Sequence, residues 1–350
     1  MRETLLQPPC VVSFSGGRDS SAILALAVHV ARREGLTPPV ASTLRFAAAP
    51  STHEEEWQEL VVRHLGVEDW IVREVDDELD CIGPVAQPIL RRHGLLWPMN
   101  SHFMALHAAL AEGGALLTGA GGDQLLTPSR HGRHEQLLRL RARPRPRDLL
   151  RLAYAAAPRP VRKRVAARRQ PTPVELPWLR EPAQAAVTDA LHDERASEPV
   201  RAWRHASWMW RSRALQVGLE SLSLVIGDEG ARPVHPFLER AFVAALAHRL
   251  RREGPFADRT AAMTLLVGDL LPASVCARPT KAAFDDVFWN RYTRAFLQEF
   301  DGTGVDEELV DVEALRRRWL EPAEGRARDM VPLQAAWLAA DRRRGSGAAE

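Results

Sequence analysis

The 350-residue chain predicts an α/β fold, a doubly wound parallel sheet with an appended, mostly helical C-terminal region. Three observations carry that prediction. Short β-branched runs alternate with amphipathic helical patterns through the first third, the pattern of a parallel sheet covered by helices. Glycines stand where the first two helical patterns stop. Beyond about residue 127 the strand signals disappear and helical spacing takes over.

In chain order, strands are expected at 10–15 (CVVSFS), 40–46 (VASTLRF), 70–75 (WIVREV) and 115–118 (ALLT). Helical spacing falls between them at 20–34, 53–65 and 101–112, and Gly35 and Gly66 can adopt the left-handed cap that closes a helix. Helical patterns follow at roughly 183–196, 203–225, 237–251, 258–270 and 285–300. Such helices can pack back onto the sheet and supply part of one site. No internal repeat is present.

With 45% hydrophobic and 26% charged residues, the composition is that of an ordinary globular protein. No basic-then-apolar leader opens the chain, and no stretch approaches the roughly 18 uninterrupted apolar residues of a membrane span. A cytoplasmic location and no membrane partner are expected. Cys10, Cys81 and Cys276 are too scattered for a disulfide framework or a zinc site. Of 47 basic residues only Lys163 and Lys281 are lysine. The net charge of +2 hides an asymmetry, because residues 139–169 carry +11 and leave the remainder at −9.

The sharpest motif is Ser15-Gly16-Gly17-Arg18-Asp19-Ser20-Ser21, placed between the first strand and the first helix. Open α/β sheets bind ligands at the carboxyl ends of their strands, and a helix N-terminus offers free N–H groups and partial positive charge. Two glycines let the backbone wrap an anion, and Ser15, Ser20 and Ser21 add hydroxyls, which makes this loop a candidate pyrophosphate cradle. A carboxylate beside phosphates needs a divalent cation between them, so Asp19 is a candidate magnesium ligand. No Gly-Lys-Ser/Thr follows, so the loop is not a Walker loop. A plain helix cap is the alternative for these residues.

These residues resemble the PP-loop ATP pyrophosphatase family, with its SGGxDS hallmark. Within it the chain is similar to the synthetase domain of asparagine synthetases, β-lactam synthetases and lasso-peptide cyclases, through landmarks spanning most of 10–290. Leu117-Thr118-Gly119-Ala120-Gly121-Gly122-Asp123 resembles the family's SGxGxDE. The resemblance implies that Thr118 and Gly119 contact ATP and that Asp123 shares magnesium with Asp19. Val40–Phe46, followed by His53-Glu54-Glu55-Glu56-Trp57, resembles the strand whose backbone reads adenine, with Leu44 the candidate contact and the Glu cluster read as a solvated first helical turn. Pro233-Val234-His235-Pro236-Phe237-Leu238-Glu239 is similar to R-x-P-F-L-D, with His235 read as packing or hydrogen bonding. Residues 270–284 are close to LP-x-x-V-x-x-R-x-K-x-x-F and make Lys281 a candidate catalytic ammonium for the charge that develops in the transition state. In a chain that writes its cations as arginine, a lysine here points to a compact point charge. Arg259, in ADRTAAM, resembles an arginine of lasso cyclases without an assigned role.

The resemblance implies an ATP- and Mg2+-dependent ligase that adenylates a carboxylate, releases pyrophosphate and passes the acyl group to an amine. Catalysis then falls to Lys281, Asp19 and Asp123, and the substrates are a small-molecule or peptide carboxylate and an amine. The implied organisation is a nucleotide-binding core (1–127), a basic lid or linker (128–182) and a helical region completing the synthetase domain (183–340). Two departures matter. Asparagine synthetases carry Glu at the positions of Ala120 and Gln124, and residue 2 is Arg where glutamine-dependent relatives place their nucleophilic Cys. Plain asparagine synthesis and glutamine hydrolysis are therefore not expected, and a peptide or natural-product cyclase fits better. The basic segment is a lid, or a docking site for a companion subunit or precursor peptide; nucleic acid is not the expected partner. The alternatives are a PP-loop enzyme of RNA modification or sulfur transfer and a non-catalytic nucleotide-binding paralogue.

Overall fold

The structure is a computed structural model that describes residues 1–347 except 48, 50, 51, 144, 172, 173, 175, 280–283 and 322–327. Its centre is one parallel sheet of five strands: β1 (Cys10–Ser13), β2 (Val40–Arg45), β3 (Trp70–Glu74), β4 (Ala115–Leu117) and β5 (Arg232–Val234), in the order β3-β2-β1-β4-β5. The registers Val11↔Val40 and Val11↔Leu116 place β1 between β2 and β4.

Strand alternation explains why β4, and β1 as far as Ser13, are apolar. Cys10, Val12, Phe14, Ala115 and Leu117 face one core beneath helix Arg18–Glu34, while Val11 and Leu116 face a second core with Val225 and Ile226 of helix Arg213–Asp228. A strand covered on both faces reads as a continuous hydrophobic run. At the edge, β3 is largely exposed, with Arg73 and Glu74 at its end.

Of the expected helices, Arg18–Glu34 and Glu55–Leu65 end on Gly35 (φ 65°) and Gly66 (φ 57°), both left-handed caps. By contrast, 101–112 is a short helix, Met104–Ala108, between two 3-10 turns, and 285–300 is α-helical only over Arg291–Glu299. The pattern at 203–225 is two helices, Ala202–Trp210 and Arg213–Asp228, because Ser212 accepts a bond from the Leu215 N–H and starts the second afresh. The fifth strand departs from the sequence reading, which expects only helices after 127. Arg232–Val234 lies beside β4 and completes the sheet from the C-terminal half.

The chain's end also returns to its first third. A third core joins Phe46, Val75, Leu79 and Met99 to Trp319, Leu333 and Trp337. It is pinned by buried polar groups: Asp80 accepts from the Asn290 and Thr293 N–H groups at 2.7 and 3.0 Å and from the Thr293 hydroxyl, and Gln334 donates to the Cys81 and Met99 carbonyls. The basic segment folds into helices Pro146–Ala156 and Arg159–Arg169. Arg139 fastens it by donating to the Leu250, Arg251 and Arg252 carbonyls at the end of helix Arg240–Glu253. Among the described residues no helix is long and apolar enough to cross a membrane.

Candidate active site

The sheet order reverses at β1: β2 and β3 run to one side, β4 and β5 to the other. A crevice opens at such a switch point, outside the carboxyl ends of the strands. Both glycine-rich loops lie there, one after β1 and one after β4.

The first loop is held by its own serines. The Ser15 N–H donates to Ser20 Oγ at 3.2 Å, the two hydroxyls lie 3.2 Å apart, and Ser20 Oγ donates to the Gly17 carbonyl at 3.1 Å. Gly16 is required twice over: its φ is +83°, and a Cβ would stand 2.9 Å from Gln58 Cγ. Gln58 in turn donates to the Ser15 carbonyl. The loop ends at Gly17, the N-cap of helix Arg18–Glu34, so its open N–H groups face the crevice with the dipole's positive end.

The second loop explains its glycines by what they let in. A Cβ on Gly119 would meet Asp19 Cβ at 3.0 Å, and one on Gly122 would stand 2.4 Å from Asp19 Cγ. These two glycines let the loops close on each other around the first carboxylate. Asp123 follows, and Arg259 spans both acids: its Nη2 donates to Asp19 Oδ1 and Oδ2 at 2.6 Å each, and its Nη1 to Asp123 Oδ1.

A cavity of about 360 Å³ lies over these groups, within the range of small-molecule sites. Its polar end carries Ser15, Gly17, Asp19, Ser20, Thr118, Gly119, Asp123 and Arg259. Its other end is apolar, with Leu44, Phe46, Phe103, Met104, Phe284 and Phe288. Arg18 lines it too, its guanidinium held below the ordinary value by burial and by neighbouring Arg259. A wider surface groove of about 1040 Å³ beside Trp97, Trp203 and Trp208 shares no residue with this cavity and holds neither glycine loop.

Sequence-expected residues therefore meet here, with two exceptions among those described. Ser21 is fully buried one step into the helix, outside the lining, and Gly16 shapes the loop from behind. Lys281 lies outside the described residues. On either side of 280–283, Arg278 and Phe284 are at the site: Phe284 lines the cavity, and Arg278 donates to the Gly16 carbonyl at 2.9 Å.

Arg278 also corrects the reading of the Glu cluster. Glu54 is buried, not solvated: Arg278 Nη1 reaches Glu54 Oε2 at 3.2 Å, Nη2 reaches Oε1, and the guanidinium stacks 4.8 Å from the Trp57 ring. The pair buttresses the first loop from beneath. Nothing in the sequence pairs Glu54 with a residue 224 positions away. Of two histidines here, His107 was not legible as a site group, whereas His235 makes the kind of hydrogen bond read for it from the sequence. His107 lines the apolar end and lies 2.8 Å from the Ser42 hydroxyl through Nδ1. His235 lies 2.7 Å from Thr118 Oγ1, which accepts the Ala120 N–H. Burial pushes each imidazole down to about 4, so both are neutral at pH 7.

These features define a class: an open parallel α/β protein with a nucleotide-sized cavity at its switch point, cradled by two glycine loops and bearing a carboxylate pair. The chain belongs to the asparagine synthase family, which matches residues 4–340 and consists of ATP-dependent, amide-forming ligases acting on carboxylate and amine substrates. No curated protein matches the chain significantly.

Proposed function

We propose that the protein activates a carboxylate as an acyl-adenylate, with AMP as the activating group and pyrophosphate released, and then passes the acyl group to an amine. The observation that carries this reading is the convergence of Asp19 and Asp123 on one cation at the polar end of a cavity whose far end is apolar. An ATP laid along it has its base among Leu44, Phe46 and Phe288 and its phosphates at the loop of Ser15, Gly17 and Ser20.

The carboxylate pair fits magnesium, since it already gathers a positive charge between the loops. Among the described residues no group of three or more His, Cys, Asp or Glu is placed to hold a metal. Two carboxylates with phosphate oxygens completing the shell is how this ion is usually held. Bound there, magnesium supplies charge neutralisation on the pyrophosphate leaving group. The rest falls to the chain: the first loop's N–H groups and Ser20 would orient the phosphates, Thr118 and Gly119 would contact the nucleotide from the cavity wall, and Lys281 would supply a point charge to the transition state. The flanking positions of Arg278 and Phe284 support that role for Lys281.

Ala120 narrows the reaction. The absence of the Glu that asparagine synthetases carry there argues against plain asparagine synthesis and for a different acceptor amine or base, and a peptide or specialised-metabolite carboxylate and amine fit better. The test is carboxylate-dependent ATP–pyrophosphate exchange across a panel of acids and peptides, with Asp19→Ala and Lys281→Ala alongside. Exchange that needs Asp19 and is lost with it supports adenylation. Nucleotide binding without exchange for any acid overturns it in favour of a non-catalytic paralogue, and exchange driven by tRNA alone favours RNA modification.

A further inference from the structure

Arg259 is a cavity residue that the proposed reaction leaves unassigned. It opens helix Arg259–Val267, whose N-cap Asp258 accepts from the Ala261 N–H, so its charge sits at the unfavourable, positive end of that helix dipole. Its side chain is 16% exposed and its Nε is buried without a hydrogen bond. A guanidinium kept in so costly a place is held by what it touches: both oxygens of Asp19 through one nitrogen and Asp123 through the other.

Those are three of the four oxygens assigned to the divalent cation, so the guanidinium competes with a metal ion for them. We propose that Arg259 makes divalent-cation binding at Asp19 and Asp123 conditional on nucleotide: its guanidinium holds the two carboxylates together, and an arriving polyphosphate draws it off and frees them for the metal. The proposal rests on the reading of Asp19 and Asp123 as metal ligands, not on adenylation.

Two physical arguments support the exchange. Two carboxylates that share one guanidinium repel each other, so the loops need a cation between them to stay closed. An Arg fork matches phosphate oxygens as well as carboxylates, so polyphosphate offers Arg259 an equivalent partner, while magnesium sheds water reluctantly and gains most when phosphates complete its shell. Metal alone must break the ion pairs for two ligands, whereas metal with nucleotide meets a site from which the competitor has been drawn away.

The experiment is Mn2+ titration of the full chain, followed by the EPR signal of the free ion, with and without a non-hydrolysable ATP analogue. Wild type is expected to bind Mn2+ about tenfold or more tightly with the analogue than without it. Arg259→Gln is expected to bind Mn2+ without analogue about tenfold more tightly than wild type, and to lose most of the analogue's effect. Arg259→Lys, whose single ammonium cannot span both acids, is expected to fall between the two and serves if the Gln variant does not fold. Equal analogue-free affinity in wild type and in the folded variants overturns the proposal, as does wild-type binding that the analogue leaves unchanged. Asp19→Asn that retains Mn2+ binding with analogue overturns the metal assignment itself, whereas failure of pyrophosphate exchange alone leaves the Mn2+ result standing.

Discussion

At the scale of single residues, the site depends as much on absent side chains as on present ones. Gly122 has ordinary helical backbone, so alanine there costs nothing in conformation, yet its Cβ would lie 2.4 Å from Asp19 Cγ and from Asp19 Oδ1. The new methyl must displace the carboxylate or part the two loops. Gly122→Ala is therefore expected to weaken binding of an ATP analogue by about tenfold or more, at a stability cost within the roughly 1–3 kcal/mol of overpacking. Calorimetric titration beside thermal unfolding checks both halves, and unchanged affinity would show that Asp19 is not the group these glycines make room for. The residue types of both loops were legible because each sits directly between strand and helix signals. The purpose of Gly119 and Gly122 was not, because their neighbour Asp19 is a hundred residues earlier in the chain.

At the scale of elements, local pattern and tertiary contact divide what could be read. The strands of the first 120 residues and the caps at Gly35 and Gly66 are written in period and glycine placement, and they stand where expected. Strand β5 is three residues around Pro233, too short for a period, and it is a strand only because the Thr118 N–H donates to the Val234 carbonyl and the Arg232 N–H to the Gly114 carbonyl. The Arg259 clamp joins residues 240 and 136 positions apart, a distance at which one sequence carries no pairing signal. The basic segment shows the same limit. Its arginines read as uniform charge, but Arg139 caps the carboxyl end of helix Arg240–Glu253, where carbonyls lack partners and a cation is favoured. Arg139→Ala should loosen the junction while leaving helix Pro146–Ala156 intact. Chymotrypsin is expected to cut near Leu140, which is 93% exposed, several times faster in the variant. An unchanged digestion rate would mean that Arg141, which donates to the Glu253 carbonyl, holds the junction without it.

At the scale of the whole molecule, the cavity is lined by side chains from both the first third and the last, and the fold that joins them buries several histidines. Desolvation pushes His102 and His107 down to about 4, and it acts in the same direction on His205 and His235, to about 4, and on His131, to about 3. The sign follows from linkage. A histidine that titrates near 6.5 when unfolded and near 4 when folded binds its proton in the unfolded state first, so stability falls as pH drops from about 6.5 to about 4 and changes little below that. For the two fully enclosed rings, His102 and His107, the loss is at most about 3 kcal/mol each. His102 couples this to architecture, since its Nε2 lies 3.0 Å from the Leu79 carbonyl in the core that the C-terminal helices close. His107 couples it to the site, since a charged ring would have to form against the apolar end of the cavity. The melting temperature is accordingly expected to fall steadily between pH 6.5 and 4.5, and His102→Gln, which keeps a donor for the Leu79 carbonyl, to flatten that slope. Bound ATP analogue should protect about equally at pH 7 and at pH 5, because folded His107, at about 4, stays neutral at both. A melting temperature indifferent to pH across this window would mean that the buried rings take up protons with water admitted beside them, and that the core around Leu79 and the cavity's apolar end are more open than their packing implies.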